Sequence, residues 1–240
     1  MFLIAVFAVA VFSGATAAVA GFGIGSLLTP LLALRLGMAT AVAVVAIPHA
    51  AATALRLVRL RHAVDTGVLR SFGILSAFGG LAGALLYTRF SARGLAIVLG
   101  LLLLATAAAA LGDLARRWSP RGPMVGVLGF VSGLFGGLAG NQGGLRAAAL
   151  LPFQLKPVAY VATATATALL VDAARTPVYL WRAGADLLEY RTPMLVATVG
   201  VLVGTLLGER ILLGLSPARF RKVIGTVIGL LGVWILARSF

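Results

Sequence analysis

The chain has no cysteine among its 240 residues, only six acidic residues and only two histidines. Without cysteine there are no disulfides, no thiolate metal sites and no cysteine nucleophile. Six dispersed carboxylates and two histidines leave few metal ligands, and no glycine-rich Lys-Ser/Thr phosphate loop is present. No cofactor is therefore expected, and energy from ATP would need a separate subunit. Lys and Arg are plentiful and give a formal net charge of +14. These residues sit mostly at the ends of apolar segments, and no polar basic domain exists. Orientation in a bilayer and attraction to anionic lipid or substrate explain them better than a nucleic-acid partner does.

What the chain has in excess is apolar surface. It is 61% hydrophobic and 11% charged, with a mean hydropathy of +1.08, whereas a soluble domain is roughly 45–50% apolar. About 20 apolar residues cross a bilayer as helix. Runs approaching that length occur at Phe2–Ala20, Ala39–Val58, Leu69–Tyr87, Leu95–Leu111, Met124–Leu138, Val158–Leu180, Thr192–Leu207 and Ile224–Leu236. They predict an all-α polytopic membrane protein with about eight transmembrane helices. Ser26–Leu34 and Leu145–Phe153 are apolar but too short to cross, and read as half-helices or re-entrant segments, each behind a glycine loop. Ala18-Val19-Ala20 mimics a signal-peptide cleavage site. No positive region precedes it, however, and Phe2–Gly25 has an internal counterpart in Met124–Gly144, so a membrane helix is expected.

That counterpart is part of a duplication. At one constant offset Gly21 pairs with Gly140, Gly25 with Gly144, Leu36 with Leu155, Val42 with Val161 and Arg56 with Arg175. Small insertions then shift the offset, pairing Asp65 with Asp186, Arg70 with Arg191, Gly79 with Gly204 and Gly83 with Gly208. The expected organisation is a first repeat over 1–112, a linker over 113–122 and a second repeat over 123–240. If the short segments stop before crossing, the halves lie parallel; if they cross, the halves are inverted. The positive-inside rule barely separates the two. An inverted pseudo-twofold is favoured because the Arg-rich 56–70 and 210–222 connections then share the cytoplasmic face.

Glycine-interrupted apolar segments at matching places in two repeats point to the binding site of a secondary transporter. In the first repeat these glycines are Gly23 and Gly25; in the second the loop is Asn141-Gln142-Gly143-Gly144, followed by Arg146. A half-helix amino terminus carries free N–H groups and about half a positive charge. With a guanidinium fork and two amides it suits a small oxyanion. The alternative is that Arg146 snorkels to an interface or holds loop carbonyls. Asp172 and Arg175 stand three apart on one helical face and can pair; such a pair is either a neutralised structural one or a switch. Arg56 matches Arg175, while Thr53 stands where Asp172 does, so only the second repeat carries the acid. His49, after Pro48 in an apolar helix, either titrates in a coupling role or is held in the core. Thr163 and Thr167 share a helix face, and the four-residue spacing of Gly79 with Gly83 and of Gly204 with Gly208 predicts close helix packing.

The run Gly136-Gly137-Leu138-Ala139-Gly140-Asn141-Gln142-Gly143-Gly144-Leu145-Arg146, with Val171-Asp172-Ala173-Ala174-Arg175 downstream, resembles one branch of the sulfite exporter TauE/SafE family. The likeness runs essentially end to end. The chain departs from the commoner triple-glycine first loop, having Gly23-Ile24-Gly25-Ser26, and has Asn141-Gln142 where many relatives have apolar residues and glycine. The resemblance implies a multi-pass transporter in the bacterial inner membrane. Its relatives move sulfite, sulfonates or other small organic anions, coupled to an ion gradient. The substrate contacts expected are Gly23, Gly25, Asn141, Gln142, Gly143, Gly144, Arg146, Arg56 and Arg175, with Asp172 and His49 as coupling residues. The partners are a small anion and the lipid bilayer, and a homodimer is allowed. Two other classes compete: a passive anion or small-solute channel with glycine loops as filter, and an intramembrane hydrolase built on Ser26 or Ser132 with His49, for which no motif speaks.

Overall fold

The computed structural model describes residues 1–112, 122–141, 143–150, 153, 155–211 and 217–239. It is helical throughout, with no strand among the described residues. The first half contains α1 (Phe2–Ala20), α2 (Ile24–Leu36), α3 (Met38–Leu60), the short α4 (Thr66–Val68), α5 (Ile74–Leu86) and α6 (Ala92–Leu111). The second contains α7 (Pro123–Ala139), α8 (Gly143–Leu150), α9 (Pro157–Glu189), α10 (Arg191–Ile211) and α11 (Pro217–Ser239). Every apolar run read as a crossing is helical. Four stretches among the described residues are long and apolar enough to cross a membrane: Phe2–Val19, Met38–Ala63, Thr66–Arg89 and Arg191–Gly208. Shorter apolar stretches occupy Ile24–Leu36, Ala92–Ala105, Pro123–Ala139 and Ile228–Ser239. α9 has the length but carries Asp172, Arg175 and Arg182 along it, and bends at Ala183 (φ −125°, ψ 21°). Most of the 113–122 linker and part of the 210–222 basic connection lie outside the described residues.

The helix ends follow the glycines. α1 stops at Gly21 (φ 75°), whose N–H bonds the Ala17 carbonyl at 3.1 Å; α7 stops the same way at Gly140 (φ 68°) on Gly136, also at 3.1 Å. That left-handed turn penalises any side chain with a Cβ. Asp65 accepts from the Val68 N–H at 2.9 Å and so caps α4, and Ser91 caps α6 through the Gly94 N–H at 3.0 Å.

Glycine also sets how the helices pack. On α10, Gly200 lies against Phe7 and Ala10, Gly204 against Val11 and Gly208 against Ala15, so α1 and α10 run parallel in close contact. On α7, Gly129 faces Phe72, Gly133 faces Ser76 and Gly137 faces Gly80, making α5 and α7 a second parallel pair. α6 and α11 run antiparallel, since Gly232 meets Leu103 whereas Gly229 meets Ala107. α3 and α9 also run antiparallel through the centre, with His49 beside Asp172 and Asp65 beside Thr163. Gly79, Gly83, Gly204 and Gly208 thus serve the packing their spacing predicts. The outer faces keep Ile4, Phe78, Val127 and Leu230 exposed, a surface suited to lipid.

At Gly133 a Cβ would run into the backbone carbonyl of Ser76, which cannot swing aside. Gly133→Leu is expected to lower stability by roughly 1–3 kcal/mol or to prevent assembly. Gly184→Ala, where nothing lies within 4 Å, is expected to be neutral or slightly stabilising. Thermal unfolding in detergent of the two variants checks the contrast.

Candidate functional site

The two glycine loops meet at the centre of the molecule. Gly25, in the first turn of α2, sits so close to Gly140 that a Cβ would strike that residue's carbonyl oxygen. Ser26 donates its hydroxyl to Asn141 Oδ1 at 3.1 Å. Gly143 opens α8 against Phe22, and Arg146, one turn along, donates from Nη2 to the Gly21 carbonyl at 3.1 Å. Gly23 (φ 138°) precedes α2 with no side-chain cap and lies over Thr16. Each loop is therefore completed by the opposite half. Gly144 lies in the first turn of α8, and Gln142 lies outside the described residues.

Asn141 and Arg146 are only 3% and 2% exposed, yet their hydrogen-bonding capacity is partly unused. Asn141 Nδ2, Arg146 Nη1 and the hydroxyl of Thr29, which faces Gly140 one turn beyond Ser26, have no partner among the described residues. The first N–H groups of α2 and α8 add helix-terminal donors nearby. An unpartnered buried polar group costs about 1–3 kcal/mol, and accepting atoms placed at the loop crossing would satisfy these donors.

A second cluster lies between α3, α7 and α9. Asp172 Oδ1 accepts from Arg175 Nε at 3.0 Å and lies 2.8 Å from its Nη2, while Oδ2 lies 2.6 Å from His49 Nδ1. Arg175 Nη1 donates to the Gly136 carbonyl, and the Tyr179 hydroxyl donates to the next carbonyl, Gly137. Tyr87 packs edge-on to Tyr179 with ring centroids 5.0 Å apart. In the first half Arg56 Nη1 donates to the Ala17 carbonyl. Ala17 and Gly136 are repeat equivalents, and each also accepts the N–H of its cap glycine. Arg56 and Arg175 thus make the same bond, each pinning the helix end from which a glycine loop hangs.

Asp172 and Arg175 pair as their spacing predicts, and His49 joins them, but Arg146 stands apart at the loops. Neither Ser26 nor Ser132 hydrogen-bonds His49: Ser26 is committed to Asn141, and Ser132 has no partner among the described residues. Thr163 accepts from the Asp65 N–H at 2.9 Å, while Thr165 and Thr167 are buried without hydrogen-bond partners among the described residues. Sequence reasoning did not find Thr29 or Tyr179. Thr29, three residues after Ser26 on a half-helix, carried a usable signal; Tyr179 carried none. A groove of about 690 Å³ opens between α1, α2 and α11, lined by apolar residues such as Val9, Leu27, Pro30 and Trp234. None of the residues of either polar cluster lines it.

Apolar outer faces around a buried, donor-rich centre define a multi-pass helical membrane protein. A family model described as Sulfite exporter TauE/SafE matches residues 6–235. The chain belongs to the sulfite exporter TauE/SafE family, a family of membrane transporters. No curated protein and no solved structure matches it.

Proposed function

We propose that the protein is a secondary transporter of small oxyanions, sulfite or a sulfonate, working by alternating access in the bacterial inner membrane and driven by an ion gradient. The observation that carries this reading is the loop crossing, where donors of Asn141, Arg146 and Thr29 lie buried without partners among the described residues beside two helix amino termini. An oxyanion offers several acceptors in a small volume and answers that donor set. Arg146, Asn141 and the glycine turns are assigned to the substrate, together with Gln142. Arg56 and Arg175 are assigned to holding the loops, because their Nη1 groups are committed to helix-end carbonyls.

Alternating access asks for two halves that can exchange roles. Two pairs of repeat-equivalent helices in contact, α3 with α9 and α6 with α11, run antiparallel, which supports inverted repeats over 1–112 and 123–240. A parallel duplication would align those pairs instead. Burial of the donors to a few per cent exposure favours a gated carrier over a passive channel.

The reading is tested by thermal unfolding of purified protein with sulfite, sulfoacetate, taurine, thiosulfate, acetate and lactate. A ligand at about 100 times its Kd stabilises by roughly 2.7 kcal/mol, and that shift is expected for sulfite or a sulfonate and absent in Arg146→Ala. A folded protein that no anion stabilises would remove the support.

A further inference from the structure

In a duplicated chain the telling positions are those where one half departs from the other by gaining an ionisable group. Asp172 stands where the first half has Thr53, and His49 stands where the second half has Ala168. The antiparallel crossing of α3 and α9 brings these two departures together, 2.6 Å apart, with the Asp172 side chain fully buried and that of His49 11% exposed. Anchoring Arg175 does not explain the acid. Arg56 makes the same bond to the end of α1 with a threonine, not a carboxylate, one turn before it.

We infer that the His49–Asp172 pair carries the coupling proton of the transport cycle and that sodium is not the coupling ion, an inference that rests on the transporter reading above. Both carboxylate oxygens are engaged, one by Arg175 and one by His49. A sodium ion needs several oxygen ligands and would have to displace one of these cationic or donor groups while facing the positive charges of Arg175 and Arg146. A proton needs only the imidazole lone pair, on the side chain suited to change charge near neutral pH.

The charged and titratable groups around His49 set the sign of the coupling. Asp172 and Arg175 act on it from α9, with Tyr179 beyond them against Arg175, Arg146 acts from α8, and Arg56 lies two turns along α3. α1, α5 and α7 contain no charged residue; α2 has only Arg35, held over the Phe2 ring, and those of α10 lie at its ends. Protonating His49 adds a positive charge to a centre where Arg146 has no carboxylate partner among the described residues. An anion at Arg146 offsets that charge. Proton and anion therefore raise each other's affinity and travel together as symport, the proton entering from one side on His49 and leaving from it on the other.

Purified full-length protein in liposomes tests this with labelled sulfite. Because sulfite itself takes up a proton near neutrality, methanesulfonate, whose charge is fixed, is run in parallel. Counterflow is expected, together with accumulation driven by a pH gradient and indifferent to a sodium gradient. Accumulation should fall about tenfold in His49→Gln and be unchanged in His62→Gln, which alters the exposed histidine after α3. Accumulation that follows sodium and ignores pH, or wild-type accumulation by His49→Gln, overturns the proton assignment and leaves the transporter standing. Absence of counterflow with both probes overturns the substrate reading instead. The proton site is then decided by nitrogen-15 NMR of the solubilised protein, the His62→Gln variant identifying the His49 signals. A His49 ring that changes charge between about pH 5 and 8 supports the assignment, and one fixed in a single state overturns it.

Discussion

Arg146→Ala is expected to abolish sulfite exchange while leaving a folded protein in the membrane. Arg146 is closed off from outside and spends one arm of its guanidinium on the Gly21 carbonyl, keeping the other without a partner among the described residues. Truncating one partner of a buried, hydrogen-bonded charge pair costs about 2–5 kcal/mol, a fall in affinity from roughly thirtyfold to several thousandfold. Folding should suffer less, because among the described residues the alanine leaves only the Gly21 carbonyl, already outside the α1 ladder, without its bond. Arg146→Lys should fall between the two, keeping the charge and losing the fork that reaches both loops. Counterflow of labelled sulfite in vesicles, beside thermal unfolding of the same preparations, separates the two effects. An Arg146→Ala protein that exchanges sulfite at the wild-type rate would place the substrate elsewhere.

Arg175→Ala should do the reverse and damage the fold. It strips Asp172 of two contacts in the interior and frees the Gly136 carbonyl at the end of α7. Breaking a buried pair from one side typically costs 3–5 kcal/mol, much of it from the charge left behind. Removing that charge as well should return part of the loss, so Asp172→Asn with Arg175→Ala is expected to be more stable than Arg175→Ala alone. Denaturation midpoints of the two single variants and the double variant give the coupling directly. If the double variant is less stable than Arg175→Ala, the buried carboxylate is not the source of the damage.

Much of this molecule was legible in its sequence. The apolar runs became helices because their length and composition permit little else in a bilayer, and the glycines marked the chain reversals because the left-handed turns at Gly21 and Gly140 disfavour any residue with a Cβ. The i,i+3 spacing of Asp172 and Arg175 announced their pairing, which is local to one helix. The third member, His49, was nameable as an isolated titratable group but not as a partner. Its contact spans a helix crossing between the two halves, and no periodicity along one helix encodes such a crossing. Arg56 and Arg175 were expected among the substrate contacts, Arg175 for its spacing from Asp172 and Arg56 as its repeat equivalent. Their bonds to Ala17 and Gly136 involve backbone acceptors, which every residue carries and no sequence distinguishes. Ser26 offered a hydroxyl but not its direction, and the close approach of Gly25 to Gly140 decided that it meets the amide of Asn141.

The pairing of α1 with α10 has a consequence for synthesis. The first helix leaves the ribosome with its glycine-matched face complete, but the surface that receives it lies in the tenth, close to the other end of the chain. At about 5–20 residues per second, α1 waits roughly 10–40 s in the bilayer before its partner arrives. During that interval only lipid or an insertion factor can cover Phe7, Val11 and Ala15, so a nascent chain that stalls before α10 presents an unsealed seam to the quality-control proteases of the membrane.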